Sequence, residues 1–200
     1  MQLNKFYSEN FFFFTSHINE QISNNILKFK NISVVYNDAS INNLKDFLII
    51  KKFCKYNNLK LYILDNARLA HQFNLDGIVL SHNNKRVISY NKITSKKKFE
   101  IIGKVHNQRE YYFKKRQNCK SIILSPIFSN RKYTNNQLLG VVKFNLISNH
   151  WLENTYAMGG INYTNFKRIK ETKASGIGFN NFIKNPEIKK PVLYFIRGRV

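Results

Sequence analysis

The residues of this chain that could do chemistry stand at the ends of short apolar runs. Asp65 follows the run 60–64, and Ser81, His82, Asn83 and Asn84 follow 77–80. Lys104 and His106 close the run 100–106, and Ser125 ends the next, with Asn130, Arg131 and Lys132 in the loop beyond it. Gly159 and Gly160 fall near the end of the run 155–161, and Asn180 and Asn181 close the run 176–181. The set is rich in cations and amides and poor in carboxylates. That balance disfavours a pair of acids for glycosidic chemistry, and no His and Cys residues group as zinc ligands. Cationic and amide donors suit a phosphorylated ligand instead. A backbone without Cβ can approach a phosphate closely, so Gly159 and Gly160, with residues 176–181, read as a phosphate cradle; the alternative is that they only permit tight turns. His106 is an acid/base candidate or a satisfied rim histidine. Asp65 is a Mg²⁺ ligand or the cap of the following helix. Arg131 and Lys132 could hold a diphosphate or lie solvated in a loop.

Something must bring these run ends together. Eight runs of β-prone residues fall at 10–16, 32–36, 60–64, 77–80, 100–106, 121–128, 155–161 and 176–181. Between them, 17–30, 42–56, 67–73, 108–117, 137–148 and 162–170 have helical composition or spacing, with Asn162 where an N-cap belongs. The alternation predicts a single-domain α/β protein, a (β/α)₈ TIM barrel with its site at the strand C-termini. A doubly wound open sheet is the alternative, disfavoured because no Gly-x-Gly-x-x-Gly follows the first strand. The domain spans 1–200, with a core of about 10–185 and a basic, apolar tail over 186–200 that has no assigned place in the barrel.

Composition narrows the class further. Hydrophobic residues make up 43% and charged residues 22%, which describes a globular chain. The 33 Lys+Arg against 11 Asp+Glu give a formal +22 and favour anionic partners. The charge is scattered, however, and Lys96-Lys97-Lys98 falls in an expected loop. The abundance of Asn, Lys, Ile, Phe and Tyr also matches AT-rich coding, so nucleic acid is not the expected partner. Cys54 and Cys119 stand alone and read as reduced, buried residues. No apolar stretch approaches the ~18 residues that span a bilayer, and the run 11–14 is too short for a secretory signal. The expected location is the cytoplasm, with no membrane partner.

At these residues the chain resembles the thiamine-phosphate synthase / TenI family. The family's Gly-Ala-Asp-Gly-Val-His-Leu is echoed by Asn74-Leu75-Asp76-Gly77-Ile78-Val79-Leu80. Its Ile-Gly-x-Ser-x-His is similar to Ile102-Gly103-Lys104-Val105-His106, and its Gly-Pro-Ile/Val-Phe-Pro-Thr to Ser125-Pro126-Ile127-Phe128-Ser129-Asn130. Its Ala-Ile-Gly-Gly-Ile matches Ala157-Met158-Gly159-Gly160-Ile161, and its Gly-Ile-Ala-Val-x-Ser is echoed by Gly176-Ile177-Gly178-Phe179-Asn180-Asn181. The order and spacing of five motifs carry the resemblance.

The resemblance implies an enzyme that joins hydroxymethylpyrimidine diphosphate to a thiazole phosphate, releasing diphosphate with Mg²⁺. Its partners would be those phosphorylated pyrimidine and thiazole molecules. It assigns Mg²⁺ to Asp65 and to Asn84, an amide where the family has an acid. Lys104, Arg131 and Lys132 would serve the diphosphate, with Ser125 and Asn130 beside them. Gly159, Gly160, Asn180 and Asn181 would take the thiazole phosphate, and His106 would be catalytic. The stretch Val34-Val35-Tyr36-Asn37-Asp38 lacks the Gln and Lys with which the family's second strand grips diphosphate. Two alternatives follow from these departures: a TenI-like thiazole tautomerase acting through His106, and a non-catalytic barrel that binds phosphorylated ligands or nucleic acid.

Overall fold

The computed structural model describes residues 10–40, 42–87, 99–129, 138–151 and 153–180. Eight parallel strands close on themselves in sequence order: β1 (Asn10–Thr15), β2 (Ile32–Tyr36), β3 (Lys60–Leu64), β4 (Gly77–Leu80), β5 (Glu100–Val105), β6 (Ser121–Leu124), β7 (Asn154–Met158) and β8 (Gly176–Phe179). β1 pairs with both β2 and β8, which completes the ring. All eight apolar runs become strands, and the (β/α)₈ barrel expected from their alternation is the fold.

Among the described residues five α-helices lie between strands: α1 (Glu20–Ile26), α2 (Leu44–Tyr56), α3 (Ala67–Gln72), α4 (Gln108–Arg116) and α5 (Gly140–Ser148). Asparagine starts four of them. Asn19, Asn43, Asn66 and Asn107 each accept the backbone N–H three residues on, satisfying a donor that the first helical turn leaves without a partner. Residues 162–170 do not form the expected α-helix. The Asn162 carboxamide takes the N–H groups of Thr164 and Asn165 and fixes a turn there. Only a six-residue 3₁₀ helix, Phe166–Glu171, follows.

Two apolar layers result from the period-two alternation of the strands. Phe12, Phe14, Val35, Tyr62, Val79, Ile102, Ile123, Tyr156 and Met158 fill the barrel interior. Phe13, Val34, Ile63, Ile78, Leu124 and Ile177 face the helices, where they meet Ile26, Phe47, Ile50 and Phe144. The filled interior makes the barrel a packed core, so ligand chemistry is left to the rim.

Candidate active site

The rim is built from the residues that follow the strands. Asp65 comes first after β3. Its φ of 52° lies in the left-handed region, where Asp is better tolerated than most residues, and Asn66 rather than Asp65 caps α3. Asp65 is thereby turned toward the loop after β4. Its Oδ1 accepts the Ser81 N–H and the Asn84 Nδ2, each at 2.8 Å.

That loop is held from below by α4. Lys114 is fully buried, and its Nζ donates to the carbonyls of Ser81 at 2.6 Å and Asn84 at 2.7 Å and to Gln117 Oε1 at 3.0 Å. All three ammonium hydrogens therefore have acceptors. Burial pulls its pKa below the ordinary lysine value. Gln117 Nε2 adds bonds to the carbonyls of Asn84 at 3.1 Å and Arg86 at 2.7 Å. The sequence reading passed over Lys114 and Gln117. A signal was present: Lys114 lies three residues beyond the buried Tyr111, on the stripe of α4 that must face inward.

His82 and His106 meet next on the rim, their rings edge to face with centroids 4.4 Å apart. Burial, then the neighbouring His106, holds the His82 pKa below the ordinary histidine value. His106 Nδ1 donates to the Ser125 carbonyl at 2.7 Å, with Ser125 Oγ 3.2 Å away. Nε2 is then the basic nitrogen of the neutral ring. Glu110, in the first turn of α4, accepts the His106 backbone N–H at 2.7 Å, so the cap of α4 also sets the histidine in place. Lys104 lies two residues beyond Ile102 and shares its inward face. Its Nζ stands 5.1 Å from the centre of the Phe14 ring, which puts the cation at the mouth of the barrel interior.

Beyond β6 the segment 126–129 crosses to β7. The N–H groups of Ile127 and Phe128 donate to the carbonyls of Met158 and Gly159. Gly159 and Gly160 have φ of 96° and 69°. A Cβ on Gly160 would lie 2.2 Å from the Phe128 carbonyl oxygen. Close backbone packing thus requires this glycine, whatever else binds there. Asn165 Nδ2 donates to the Gly160 carbonyl at 2.8 Å, and the Arg168 guanidinium stands 5.4 Å over the Phe128 ring. Arg168 is a rim cation that the sequence reading did not single out. In β8, Gly176 opens the strand beside Asn10 and Gly178 lies against Met158 inside the barrel. Only Asn180 of that motif reaches the rim among the described residues.

Asp65, Asn84, His106, Ser125, Gly159 and Gly160 are therefore linked by successive contacts across the ends of β3 to β7. Asn130, Arg131, Lys132 and Asn181, together with Lys96-Lys97-Lys98 and the tail, lie outside the described residues. Asp65 and Asn84, the two residues assigned to Mg²⁺, do come together, but as hydrogen-bond partners of each other. The Asn84 amide nitrogen faces the carboxylate. Its Oδ1 is turned away to the Arg86 N–H at 3.1 Å and Gln117 Nε2 at 3.4 Å. Among the described residues no group of three or more His, Cys, Asp or Glu side chains could hold a metal. Mg²⁺ demands near-octahedral oxygen donors, and this pair offers no such set as it stands.

A closed parallel barrel with its polar, cation-bearing contacts gathered at the strand C-termini belongs to the class of (β/α)₈ barrels. Within that class the chain belongs to the thiamine monophosphate synthase family, whose model matches residues 36–181. It is similar to a thiamine-phosphate synthase of Prochlorococcus marinus, with 30% identity over 69% of this chain and 40% of that protein. A thiamine-phosphate synthase of Flavobacterium psychrophilum is 29% identical over 69% of each chain. The chain thus spans less than half the length of the first relative and about two thirds of the second. Thiamine phosphate pyrophosphorylase from Pyrococcus furiosus superposes with a TM-score of 0.73 at 14% identity, over 97% of this chain and 99% of that one, a likeness of fold.

Proposed function

We propose that this barrel makes thiamine phosphate from hydroxymethylpyrimidine diphosphate and a thiazole phosphate. The observation that carries the reading is the family match across strands β3 to β8, the arc along which the polar rim residues touch. In the reaction the bond between the pyrimidine methylene and the diphosphate oxygen breaks, and its electron pair leaves with the diphosphate. The thiazole nitrogen lone pair then forms the new C–N bond. No proton needs to move, so the protein's task is to orient both molecules and neutralise the departing anion.

Lys104, at the mouth of the barrel interior, supplies a fixed positive charge to the diphosphate, with Arg131 and Lys132 as further cations and Ser125 and Asn130 as polar contacts. The turn at Gly159 and Gly160, with Asn180 and Asn181, takes the thiazole phosphate on backbone and amide donors. His106 borders the reacting centre. Magnesium would supply charge neutralisation of the diphosphate; of the two residues assigned to it, Asp65 would offer a carboxylate, while the Asn84 oxygen is turned away to the Arg86 N–H. Such small phosphorylated substrates would put the reaction in the cytoplasm. Among the described residues no helix is long and apolar enough to cross a membrane.

The test is turnover. Purified protein incubated with both phosphorylated substrates across a series of Mg²⁺ concentrations should form thiamine phosphate and diphosphate in equal amounts. No product at any concentration would overturn the proposal.

A further inference from the structure

We infer that the Asp65–Asn84–Lys114 cluster occupies the role of a resident divalent cation, so that the free protein binds no Mg²⁺ at Asp65. The inference concerns metal binding and stands independently of the proposed coupling reaction.

Three observations converge on it. The first is the direction of the Asn84 amide. Asp65 Oδ1 is acceptor-only when ionised, so the group 2.8 Å from it must be the NH₂ end of Asn84. The Arg86 N–H and Gln117 Nε2 require Oδ1 at the other end. The orientation is thus fixed from both sides. Turning a ligand oxygen toward a metal beside Asp65 would leave the Arg86 N–H without its acceptor and the carboxylate without one of its two donors. The second is that Asp65 Oδ1 already takes the Ser81 N–H as well, so of this acid Oδ2 alone would remain to offer a metal.

The third is charge. The buried Lys114 ammonium is bonded to the carbonyls of Ser81 and Asn84, the residues whose donors grip Asp65. One fixed cation therefore already balances the one carboxylate. A divalent ion would bring two further positive charges close to an ammonium that cannot move without abandoning three acceptors. What a metal would do for two acids, holding them together and neutralising them, Asn84 and Lys114 do for the single acid Asp65.

Manganese serves as a spectroscopic substitute for magnesium. With substrate-free wild-type protein, the six-line resonance of aqueous Mn²⁺ should stay at its protein-free amplitude, and added Mg²⁺ should leave Tm unchanged. Asn84→Asp restores a second acid and removes the donor. It should bind Mn²⁺ about tenfold tighter or more than wild type and gain a Mg²⁺-dependent rise in Tm, both lost when Asp65→Asn is added. Should N84D not fold, nuclear resonance on the wild type decides the question: the Ser81 amide and Asn84 side-chain signals should stay sharp as Mn²⁺ is added. Stoichiometric Mn²⁺ uptake by the wild type that Asp65→Asn abolishes, or selective broadening of the Asn84 signals, would overturn the inference. So would an N84D variant that folds and binds no more Mn²⁺ than wild type. No substrate is present, so a failure here is separate from a failure of turnover.

Discussion

Gly103 and Lys114 share one space: a Cβ on Gly103 would stand 2.7 Å from the Lys114 Cγ and 2.9 Å from its Cβ and Cδ. The bare backbone of β5 is the bed on which the lysine stem lies, and the stem must lie there for its ammonium to reach the Ser81 and Asn84 carbonyls. Gly103→Ala should lift the stem and release the loop after β4, at a cost of about 2–3 kcal/mol from overpacking and lost charge-assisted bonds. Urea unfolding gives the total. A double-mutant cycle with Lys114→Ala isolates the coupling, and the cost of G103A should shrink markedly once the Cγ and Cδ that its methyl would strike are gone. An equal cost in both backgrounds would show that the glycine does not act through Lys114.

How far the sequence disclosed this arrangement differs residue by residue. The barrel was legible because strands such as Ile32–Tyr36 and Gly77–Leu80 are short, almost entirely apolar and separated by helical segments, a pattern few other folds share. Asp65, His106, Ser125 and Gly160 were legible as rim residues because position at a strand end follows from the strand alone. Lys114 was not, because in isolation a lysine within the basic run 114–116 reads as solvent-facing. Only the docking of α4 on β5 buries it. The direction of the Asn84 amide was likewise invisible, since it is fixed by Arg86 and Gln117, the latter on a different segment. The 3₁₀ helix replaced an expected α-helix because the side chain of Asn162 competes locally with helical bonding.

His106 discriminates between coupling and proton-transfer chemistry. Its Nδ1 is committed to the Ser125 carbonyl, which presents Nε2 as the base of the neutral ring. If the barrel isomerised a thiazole through this group, His106→Ala should cost on the order of 10²–10⁴ in kcat, the range of general acid–base catalysis. For coupling, which moves no proton, the expected loss is less than about tenfold, attributable to a loosened Ser125 segment. Steady-state rates of H106A with both substrates decide it, and a collapse of product formation would contradict the coupling proposal.

Two glycines of similar backbone conformation should respond differently to the same substitution. Gly140 has φ of 61° and nothing within 4 Å of where a Cβ would go, so Gly140→Ala should cost about 1 kcal/mol from the left-handed conformation alone. Gly160 has φ of 69° and would drive a methyl into the Phe128 and Ser129 carbonyls, so Gly160→Ala should cost about 3 kcal/mol or more. The thiazole phosphate assignment adds a second readout. Saturating thiazole phosphate should raise Tm in wild type and G140A, and by much less in G160A. Full protection of G160A would remove this turn from the phosphate site while leaving its structural role intact.

Alkaline stability should fall through the two thiols. Cys54 on α2 and Cys119 ahead of β6 are both buried, and burial pushes each from 9.0 up to about 12. Above pH 9 the unfolded chain releases both protons while the folded chain keeps them. The folded state then binds more protons, and the stability present below pH 9 is lost progressively as pH rises toward 12. The limiting slope is about 1.4 kcal/mol per pH unit for each thiol. Lys114 works in the opposite direction, because burial lowers its pKa and the unfolded lysine holds its proton up to 10.5. It is one group against two. Tyr36, Tyr62 and Tyr111, also raised, start from 10.0, so comparing pH 8 with about pH 10 emphasises the cysteines. Trp151 is the single tryptophan of the chain, buried and stacked on Tyr111 with centroids 4.2 Å apart, so its fluorescence reports the unfolding. The urea midpoint should drop between the two pH values in wild type. Cys54→Ala with Cys119→Ala lowers stability at both by leaving cavities, but should flatten the pH dependence. A slope unchanged in that double variant would assign the alkaline loss to groups other than the thiols.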